Sequence, residues 1–313
     1  MSKTKFKPIS SSMLIHDLFQ MLGVRYRHFS VKQETLNNEI WQLEEASKLL
    51  LKEKIERNST RLKQLKTIKV YRGVTTGYNP AFIIDGAKQK ELMKQQRASQ
   101  NIIKPVLQGR NIRRWTYDDT KNFMIFTKRG IDITKYPAIE KHLLNFREQL
   151  EPGKGRKTGS YHWYEIQDNT AYYGEFANEK IIWGLTADKW AFSYDNAGHF
   201  LPSNGYILTS TDIPIKYLLA LMNSKLMEFY FGFIGIMTAG GAYTLKYETV
   251  IEFPIKLTSA KIQHKIEKLV DRIIAQKTQD LQADTIDLET QIDRLVYEIY
   301  GLTRGEIETM ENF

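Results

Sequence analysis

The stretch Val70–Asp85, VYRGVTTGYNPAFIID, is the most informative part of this chain. Its β-prone start is followed by turn glycines and short polar side chains. Hydroxyl and amide groups stand beside the glycines at Thr75 and Asn79, and Tyr78 lies between them. Groups this short let a backbone approach a phosphate or a base edge closely. The pattern predicts a strand ending in a polar turn, with Arg72, Thr75, Tyr78 and Asn79 as candidate contact residues.

A basic block follows at Lys104–Trp115, KPVLQGRNIRRW. It brings Arg110, Arg113 and Arg114 within five residues of one another, next to a tryptophan. Arginine is the usual bidentate partner of guanine edges and of phosphates, so this block predicts contact with nucleic acid. The alternative for both stretches is a buried hairpin with a solvated basic turn, because charge runs are often no more than solvated faces.

The composition favours an anionic partner and a reducing compartment. The chain has 313 residues, with 45 Lys and Arg against 36 Asp and Glu, a net charge of +9. Such a balance suits nucleic acid or a membrane surface. Cysteine is absent, which excludes disulfides, thiolate zinc sites and a cysteine nucleophile. The N-terminus has no signal-peptide core, and polar residues interrupt the most apolar stretch, Lys216–Met237. We expect a cytoplasmic protein without a membrane span.

Helical patterns flank a β-rich middle. From about Gln33 to Lys66 apolar residues recur at three- and four-residue steps, which predicts one long amphipathic helix with a break at Asn58 and Ser59 near its end. From Lys69 to Ile255 short β-prone runs alternate with glycines and prolines; they are FMIFT, KIIWGL, WAFSY and GYILT. Helices are predicted at about 140–149 and 216–231, and two further helical seams lie beyond Pro254.

Catalytic patterns are weak in this sequence. Asn79-Pro80-Ala81-Phe82 comes within one residue of the loop of amino-methyltransferases, but no glycine-rich cofactor turn lies upstream. A nuclease site needs an acidic pair and a lysine to hold a metal and activate water. Asp119-Thr120-Lys121 is the single Asp-x-Lys, and no Pro-Asp lies at a suitable distance before it. The six histidines never share a helical face at metal-ligand spacing. We expect no catalytic and no metal-binding residues.

A second basic segment lies in the loop EPGKGRKTGS, followed by YHWY. Basic groups beside aromatic rings suit phosphate contact, groove insertion or base stacking. The alternative is a solvated loop above a hydrophobic wall. The candidate residues here are Lys154, Arg156, Lys157 and Tyr161. Weaker candidates are Lys128 and Arg129, predicted at a strand end, and Lys189, predicted near a hairpin.

Five pieces of the sequence, taken in order, resemble the TaqI-type C-terminal specificity domain, the target-recognition part of type IIG restriction–modification enzymes and related N6-adenine methyltransferases. They are LLKEKIERNSTRLKQ leading into VYRGVTTGYNPAFIID; KPVLQGRNIRRW; YYGEFANEKIIWG with WAFSYDNAGHFLPSNGYIL; YLLALMNSKLMEFYFG with the later GGAY; and IDRLVYEIYGLTRGEI. The resemblance covers about Leu50 to Ile307, and the region before Gln33 lies outside it.

The resemblance implies an α+β fold with a β-rich target-recognition head, flanked and supported by long N- and C-terminal helices as in type I specificity subunits. We therefore expect an N-terminal helical segment at 1–68, a DNA target-recognition domain at 69–257 and a C-terminal helical support at 258–313.

The implied function is sequence-specific recognition of double-stranded DNA for an adenine methyltransferase, with or without a nuclease. The family usually carries this domain behind a methyltransferase domain, so the chain is either part of a larger enzyme or a separate specificity protein that meets its catalytic partner in trans. S-adenosylmethionine and a divalent metal would belong to those catalytic domains and not to this chain. The alternatives are a catalytic fragment of a methyltransferase or nuclease, and a helical module that docks a methyltransferase.

Overall fold

The structure, a computed structural model, describes residues 46–311. The start of the predicted N-terminal helix, at 33–45, lies outside them. The described helices and strands, in chain order, are α1 (Ala46–Glu56), β1 (Thr60–Arg61), β2 (Ile68–Arg72), α2 (Asn79–Phe82), β3 (Ile83–Asp85), α3 (Gly86–Gln95), β4 (Ile103–Val106), β5 (Asn122–Ile125), α4 (Pro137–Leu144), α5 (Arg147–Leu150), β6 (Lys180–Gly184), β7 (Thr186–Ala187), β8 (Ser193–Asp195), β9 (Gly205–Ser210), α6 (Ile215–Asn223), α7 (Lys225–Ile234), β10 (Ile236–Met237), β11 (Tyr243–Thr244), α8 (Tyr247–Val250), β12 (Pro254–Ile255), α9 (Ala260–Gln279), α10 (Ile286–Tyr300) and α11 (Arg304–Glu311).

A four-stranded antiparallel sheet, in the order β2-β9-β6-β8, separates two hydrophobic cores. Successive residues of a strand point to opposite faces, and in β6 the side chains of Ile181 and Trp183 enter one core while Ile182 enters the other. All five residues of β6 are buried, as expected for a central strand covered on both faces. The predicted β-prone run KIIWGL is therefore confirmed as a strand, and the structure shows it to be a central one.

The first core is covered by helices. It contains the apolar faces of α6, α7, α9 and α10 together with Trp183 and Leu208 from the sheet. The helix predicted over 216–231 is in fact two helices, because Ser224 ends α6 and its hydroxyl accepts a hydrogen bond from Met227 N as the N-cap of α7. The predicted seams at Ile262–Ile273 and Leu288–Ile299 are confirmed as α9 and α10.

The second core lies between the central sheet and a three-stranded antiparallel sheet, β3-β5-β4, with α2, α3 and α4 around it. The predicted strand FMIFT forms β5. The helix predicted at 140–149 is interrupted, because α4 ends at Leu144 and α5 begins at Arg147. The sequence pattern missed α3, whose start is capped by the Asp85 carboxylate accepting from Lys88 N at 2.8 Å.

The helix predicted to reach Lys66 is wrong after Glu56. Helix α1 ends at Glu56, and Asn58 then adopts a left-handed conformation with φ 62°. The chain continues as β1, which pairs with β12, and as a 3₁₀ turn at Leu62–Gln64. Asparagine tolerates positive φ better than most residues, so the predicted break near the end of the helix is the actual end.

The chain divides into two compact units, Met1–Leu50 and Leu51–Phe313. Of the first, only the beginning of α1 is described. In the second, the C-terminal helices share a core with the central sheet. The mixed α and β architecture with antiparallel sheets and C-terminal supporting helices confirms the predicted fold class, while the boundaries at 68/69 and 257/258 stay predictions. Among the described residues, no helix combines the length and the apolar character needed to cross a bilayer.

Candidate nucleic-acid interface

The basic block forms a short, tightly held turn, residues 109–115, which we call the arginine turn. It starts as a 3₁₀ turn at Gly109–Asn111, closed by the Asn111 side chain accepting from Gln108 N at 2.9 Å. Gly109 lies against the end of β6: a Cβ placed on Gly184 would be 3.3 Å from the Cα of Gly109. Two glycines therefore let the turn sit directly on the central sheet.

The other end of the arginine turn is fixed by Trp115, which is fully buried and has φ 75°. Positive φ is uncommon for a bulky residue and persists only where its surroundings impose it. Here Trp115 N donates to Phe192 O at 2.9 Å, and the Ser193 hydroxyl donates to the carbonyls of Arg113 and Thr116. The turn is thus held to the sheet at both ends.

The three arginines of this turn point to different environments. Arg110 and Arg113 are exposed, and in the described part of the chain neither forms an ion pair; Arg113 Nη1 donates to Arg110 O at 2.6 Å. Arg114 instead lies with its Nε 2.9 Å from a carboxylate oxygen of Glu289 on α10, and its guanidinium is 5.6 Å from the ring of Trp115. Arg113 Nη1 also donates to Ile112 O at 3.1 Å. Arg110 and Arg113 are exposed to a ligand without an acidic partner among the described residues, whereas Arg114 is held by the supporting helix.

The segment 151–164, which we call the basic loop, is organised around a buried arginine. Arg156 is 6% exposed. Its guanidinium donates to four backbone carbonyls, at 2.6–3.0 Å, those of Leu150, Thr76, Glu165 and Trp163. With its donors used inside the protein, Arg156 is not placed to contact phosphate, and we correct that prediction: it is a structural residue.

Arg129 and Tyr161 belong to the same internal arrangement. Arg129 Nη1 donates to Ser160 O at 3.0 Å and Nη2 to Gln167 O. The guanidinium carbons of Arg129 and Arg156 lie 4.2 and 4.8 Å from the centre of the Tyr161 ring, and the Tyr161 hydroxyl donates to Lys157 O. This ring is already in contact with two guanidinium groups. The placement argues against DNA contact by Arg129 and base stacking by Tyr161.

The lysines of the basic loop and its neighbours stay at the surface. Lys154 and Lys157 are exposed, and Lys154 borders an open cavity of about 530 Å³ together with Arg147 and Glu151. Lys189, just after β7, is exposed as well. None of the three lysines has an acidic partner among residues 46–311. Lys128 differs, since its Nζ lies 3.0 Å from the Tyr173 hydroxyl and 4.7 Å from the centre of that ring.

The leading turn places one amide at a cleft. The Thr76 hydroxyl donates to Asn79 Oδ1 at 2.7 Å, which leaves the NH₂ group of the exposed Asn79 available as a donor. A cleft of about 270 Å³ lies here, lined by Asn79, Pro80, Ile83, Gln108, Pro202 and Asn204. Tyr78 is half-buried with its ring 6.1 Å from Phe146, and the carbonyl of Thr75 accepts from Asp168 N at 3.1 Å. Arg72 is exposed, and its Nε donates to Ser203 O at 2.6 Å.

Sequence reasoning missed a buried ionic cluster where the start of β6 pairs with the end of β8. Lys180 and Asp195 are fully buried, with Nζ 2.5 Å from Oδ2, and His199 Nδ1 lies 2.9 Å from the other Asp195 oxygen. Burial raises the pKa of Asp195, but hydrogen bonds from His199 and Lys180 outweigh it and hold the pKa at about 2. Asp195 and His199 are four positions apart, but Lys180 is 15 positions before Asp195. No local sequence pattern therefore indicates the cluster.

The catalytic patterns of the sequence fall on structural elements. Asn79-Pro80-Ala81-Phe82 is the short helix α2, with Ala81 and Phe82 fully buried in the second core. Lys121 is paired with Asp119 at the surface. Over residues 46–311 no group of three or more His, Asp or Glu is placed to hold a metal ion.

Residues 104–255, which contain the arginine turn, three of the four strands of the central sheet and the GGAY segment, match the family model described as the TaqI-like C-terminal specificity domain. This part of the chain is similar to that domain. The resemblance derived from the sequence is confirmed over its second to fourth pieces. The match supports DNA target recognition in a restriction–modification enzyme, as predicted.

Two further proteins are similar over a larger part of the chain. The type II methyltransferase M.MjaIV of Methanocaldococcus jannaschii is 24% identical over 236 residues, which are 73% of this chain and 77% of that protein. The structure of the type IIL restriction–modification enzyme MmeI in complex with DNA aligns with a TM-score of 0.58 at 12% identity, and the alignment covers 82% of this chain. The chain spans 37% of the length of the MmeI chain, and at this identity the likeness concerns the fold.

Proposed function

We propose that this chain is a non-catalytic target-recognition unit that reads a short duplex DNA sequence with the arginine turn at the centre of the contact. The observation that carries the proposal is the pairing state of Arg110 and Arg113, which are exposed and without acidic partners in the described part of a specificity domain. A guanidinium in this state can form two parallel hydrogen bonds with the major-groove edge of guanine or with a phosphate.

The rigidity of the arginine turn supports the same role. It is fixed by the Gly109–Gly184 approach at one end and by the buried Trp115 at the other. A contact loop that is already ordered loses less conformational freedom on binding, which favours affinity and a defined register on the duplex. Arg110 and Arg113 would therefore specify bases, and Asn79 would add an amide donor at the neighbouring cleft.

The exposed lysines would add affinity without sequence information. Lys154, Lys157 and Lys189 are exposed and have no acidic partner in the described part of the chain. Arg72 and Lys128 are exposed and each donates to a neighbouring group. Contacts to phosphates position a protein on DNA but do not distinguish sequences. We assign these residues to the DNA backbone.

The catalytic partner would be an adenine methyltransferase domain, with or without a nuclease, joined to this chain or meeting it in trans. S-adenosylmethionine and a divalent metal would be held by that partner. The second candidate function is methyl transfer by this chain itself, favoured by the name of the relative M.MjaIV, to which most of the chain aligns. Against it stands the burial of Ala81 and Phe82, which puts the residues resembling a methyltransferase loop inside a core.

The test is selection of bound duplexes from a random-sequence library at two salt concentrations, without metal or S-adenosylmethionine, followed by sequencing. We expect one short motif to be enriched and to persist at the higher salt concentration. Binding that is lost with salt and enriches no motif would contradict specific recognition by this chain, since phosphate contacts alone are salt-sensitive. Transfer of labelled methyl groups to DNA by the purified chain would establish the second candidate.

A further inference from the structure

A β-hairpin near the arginine turn has no role in the function proposed so far. It consists of β10, β11 and the connecting residues 238–242, TAGGA. Its first strand carries two adjacent large apolar side chains at the surface, since Ile236 is 56% and Met237 50% exposed. Exposed apolar side chains that adjoin one another, unlike single ones, are a reason to look for a contact surface.

The hairpin is ordered at its tip and anchored at its base. At the tip, Thr238 N donates to Ala242 O at 2.8 Å and Gly241, with φ 81°, donates to Thr238 O at 2.9 Å. At the base, the ring of Tyr243 lies 5.3 Å from Trp190 in the first core, and its hydroxyl donates to Glu228. The tip is therefore carried by the core and does not depend on a partner for its shape.

The position of the two apolar side chains restricts what can cover them. Neighbouring residues in a strand point to opposite faces, so Ile236 and Met237 expose apolar surface on both faces of the hairpin. A flat partner surface could cover one face only. A groove with two walls can cover both, and the small residues of the tip let the backbone approach its floor.

Two exposed cations belong to elements beside the hairpin. Its sheet has the order β10-β11-β7, and β7 contacts the 3₁₀ turn that carries Arg110. Lys189 follows β7 and is exposed, next to the exposed Asp188. Both cations suit an anionic groove. The major groove of B-DNA, about 12 Å wide, admits a two-stranded β-ribbon and displays one apolar group, the thymine methyl. Beyond Met237 the hairpin is such a ribbon, since the described pairing of β7 is with Tyr243 and Thr244.

We propose that the hairpin at 236–244 enters the major groove of the target duplex, where Ile236 and Met237 contact thymine methyl groups. The inference rests on the proposed function and extends it, because it assigns thymine readout to a hairpin while the arginine turn reads guanine or phosphate. The contact requires no movement of the hairpin, since both side chains are already exposed.

The experiment uses the motif enriched by the full chain. Each thymine of that duplex is replaced in turn by deoxyuridine, which removes the methyl group and keeps every hydrogen-bonding atom. We expect the affinity of the unaltered protein to fall about four-fold for at least one replacement, as for the loss of one buried methyl group. The double variant I236S/M237S should bind the thymine and uracil duplexes equally. The control is Ile286→Ser, an isoleucine that is 68% exposed on α10, and it should keep the four-fold difference.

The outcomes separate this inference from the proposed function. Enrichment of a motif whose affinity does not change with any uracil replacement, or of a motif without A·T pairs, would overturn thymine readout and leave DNA recognition standing. Failure to enrich any motif would overturn both. Loss of binding by the double variant without sensitivity to uracil would also overturn the methyl contact; circular dichroism and thermal unfolding would show whether that variant is folded.

Discussion

The arginine turn and the basic loop look alike in sequence and differ in structure. Each combines glycine, clustered cations and a following aromatic residue. In the arginine turn, Arg110 and Arg113 point away from the protein without acidic partners among the described residues. In the basic loop, Arg156 points inward and donates to four carbonyls. Two basic segments that look alike can therefore hold two kinds of arginine. One kind is exposed to a ligand, and the other donates hydrogen bonds to backbone carbonyls inside the protein.

The difference has a physical cause in what lies beneath each segment. The arginine turn rests on β6, whose strand pairing is already made, and Arg113 donates to carbonyls of the turn itself, those of Arg110 and Ile112. The basic loop is irregular and crosses other irregular segments, so carbonyls such as those of Glu165 and Trp163 need donors. Buried carbonyls are almost always satisfied, and the guanidinium fork is well suited to join several of them.

The sharpest test of this contrast is Arg156→Ala. It would leave four carbonyls without this donor inside the protein, and we expect a loss of about 3 kcal/mol or more in the free energy of unfolding, since each buried group left unsatisfied costs about 1–3 kcal/mol. Urea denaturation measures the change.

The matched control in the same loop is Lys157→Ala, which removes an exposed side chain and should change the free energy of unfolding by less than about 0.5 kcal/mol. If Arg156→Ala unfolds at the same urea concentration as the unaltered protein and instead binds DNA poorly, the two regions have been assigned the wrong way round.

The reciprocal test is the double variant R110E/R113E. We expect its affinity for the selected duplex to fall at least about a hundredfold, because two contacts, each contributing roughly 1–3 kcal/mol, become repulsive. The free energy of unfolding should not change, since both side chains are exposed. Fluorescence anisotropy with the selected duplex measures the affinity.

Charge alone must be separated from position in that test. Arg304→Glu changes a side chain that is 94% exposed on α11, and we expect it to weaken binding only slightly. An equal loss for Arg304→Glu and for R110E/R113E would mean that binding follows net charge and that the arginine turn has no special part in it.

A smaller effect is expected for Gly184→Ala, which tests the support of the arginine turn. The new Cβ would lie 3.3 Å from Gly109 Cα, so the backbone of the turn must shift by a few tenths of an ångström. We expect a loss of stability of about 1–2 kcal/mol, as for other overpacked sites, and weaker discrimination among sequences. Gly174→Ala is the control, because a Cβ there meets nothing within 4 Å. Unchanged sequence preference in Gly184→Ala would show that the close approach does not control the readout.

The sequence predicted the individual helices and strands of this fold better than it predicted where they end and what they contact. Strand runs such as KIIWGL and the helical seams after Pro254 follow from periodicity, which reflects which face each element buries. The split of the 216–231 helix at Ser224 was missed, because an apolar pattern continues through it and the decisive event is an N-cap hydrogen bond. The interruption after Asn58 was only partly foreseen.

The candidate site could be predicted only as a list of basic and polar residues. Whether Arg114 meets DNA or Glu289 depends on a helix more than 170 positions further along the chain. The buried Lys180, Asp195 and His199 were likewise invisible, because charged residues in a β-prone run are normally assigned to the surface. Whether a basic side chain is free to contact DNA depends on how the folded molecule packs around it. Before the structure, the DNA-recognition function was predicted from the family resemblance alone.

The smallest predicted effect concerns the part of the basic loop that does face solvent. Removing the exposed Lys154 or Lys157 singly by alanine substitution should lower the slope of log affinity against log salt concentration by about one unit each, with the same loss for every DNA sequence, because each released counterion corresponds to one phosphate contact. Arg156→Met, if folded, should leave that slope unchanged. A change in sequence preference on removing either lysine would mean that this loop reads bases. The assignment of base contacts to the arginine turn and phosphate contacts to the basic loop would then be wrong. The buried Arg156 would still explain why the loop has a fixed shape.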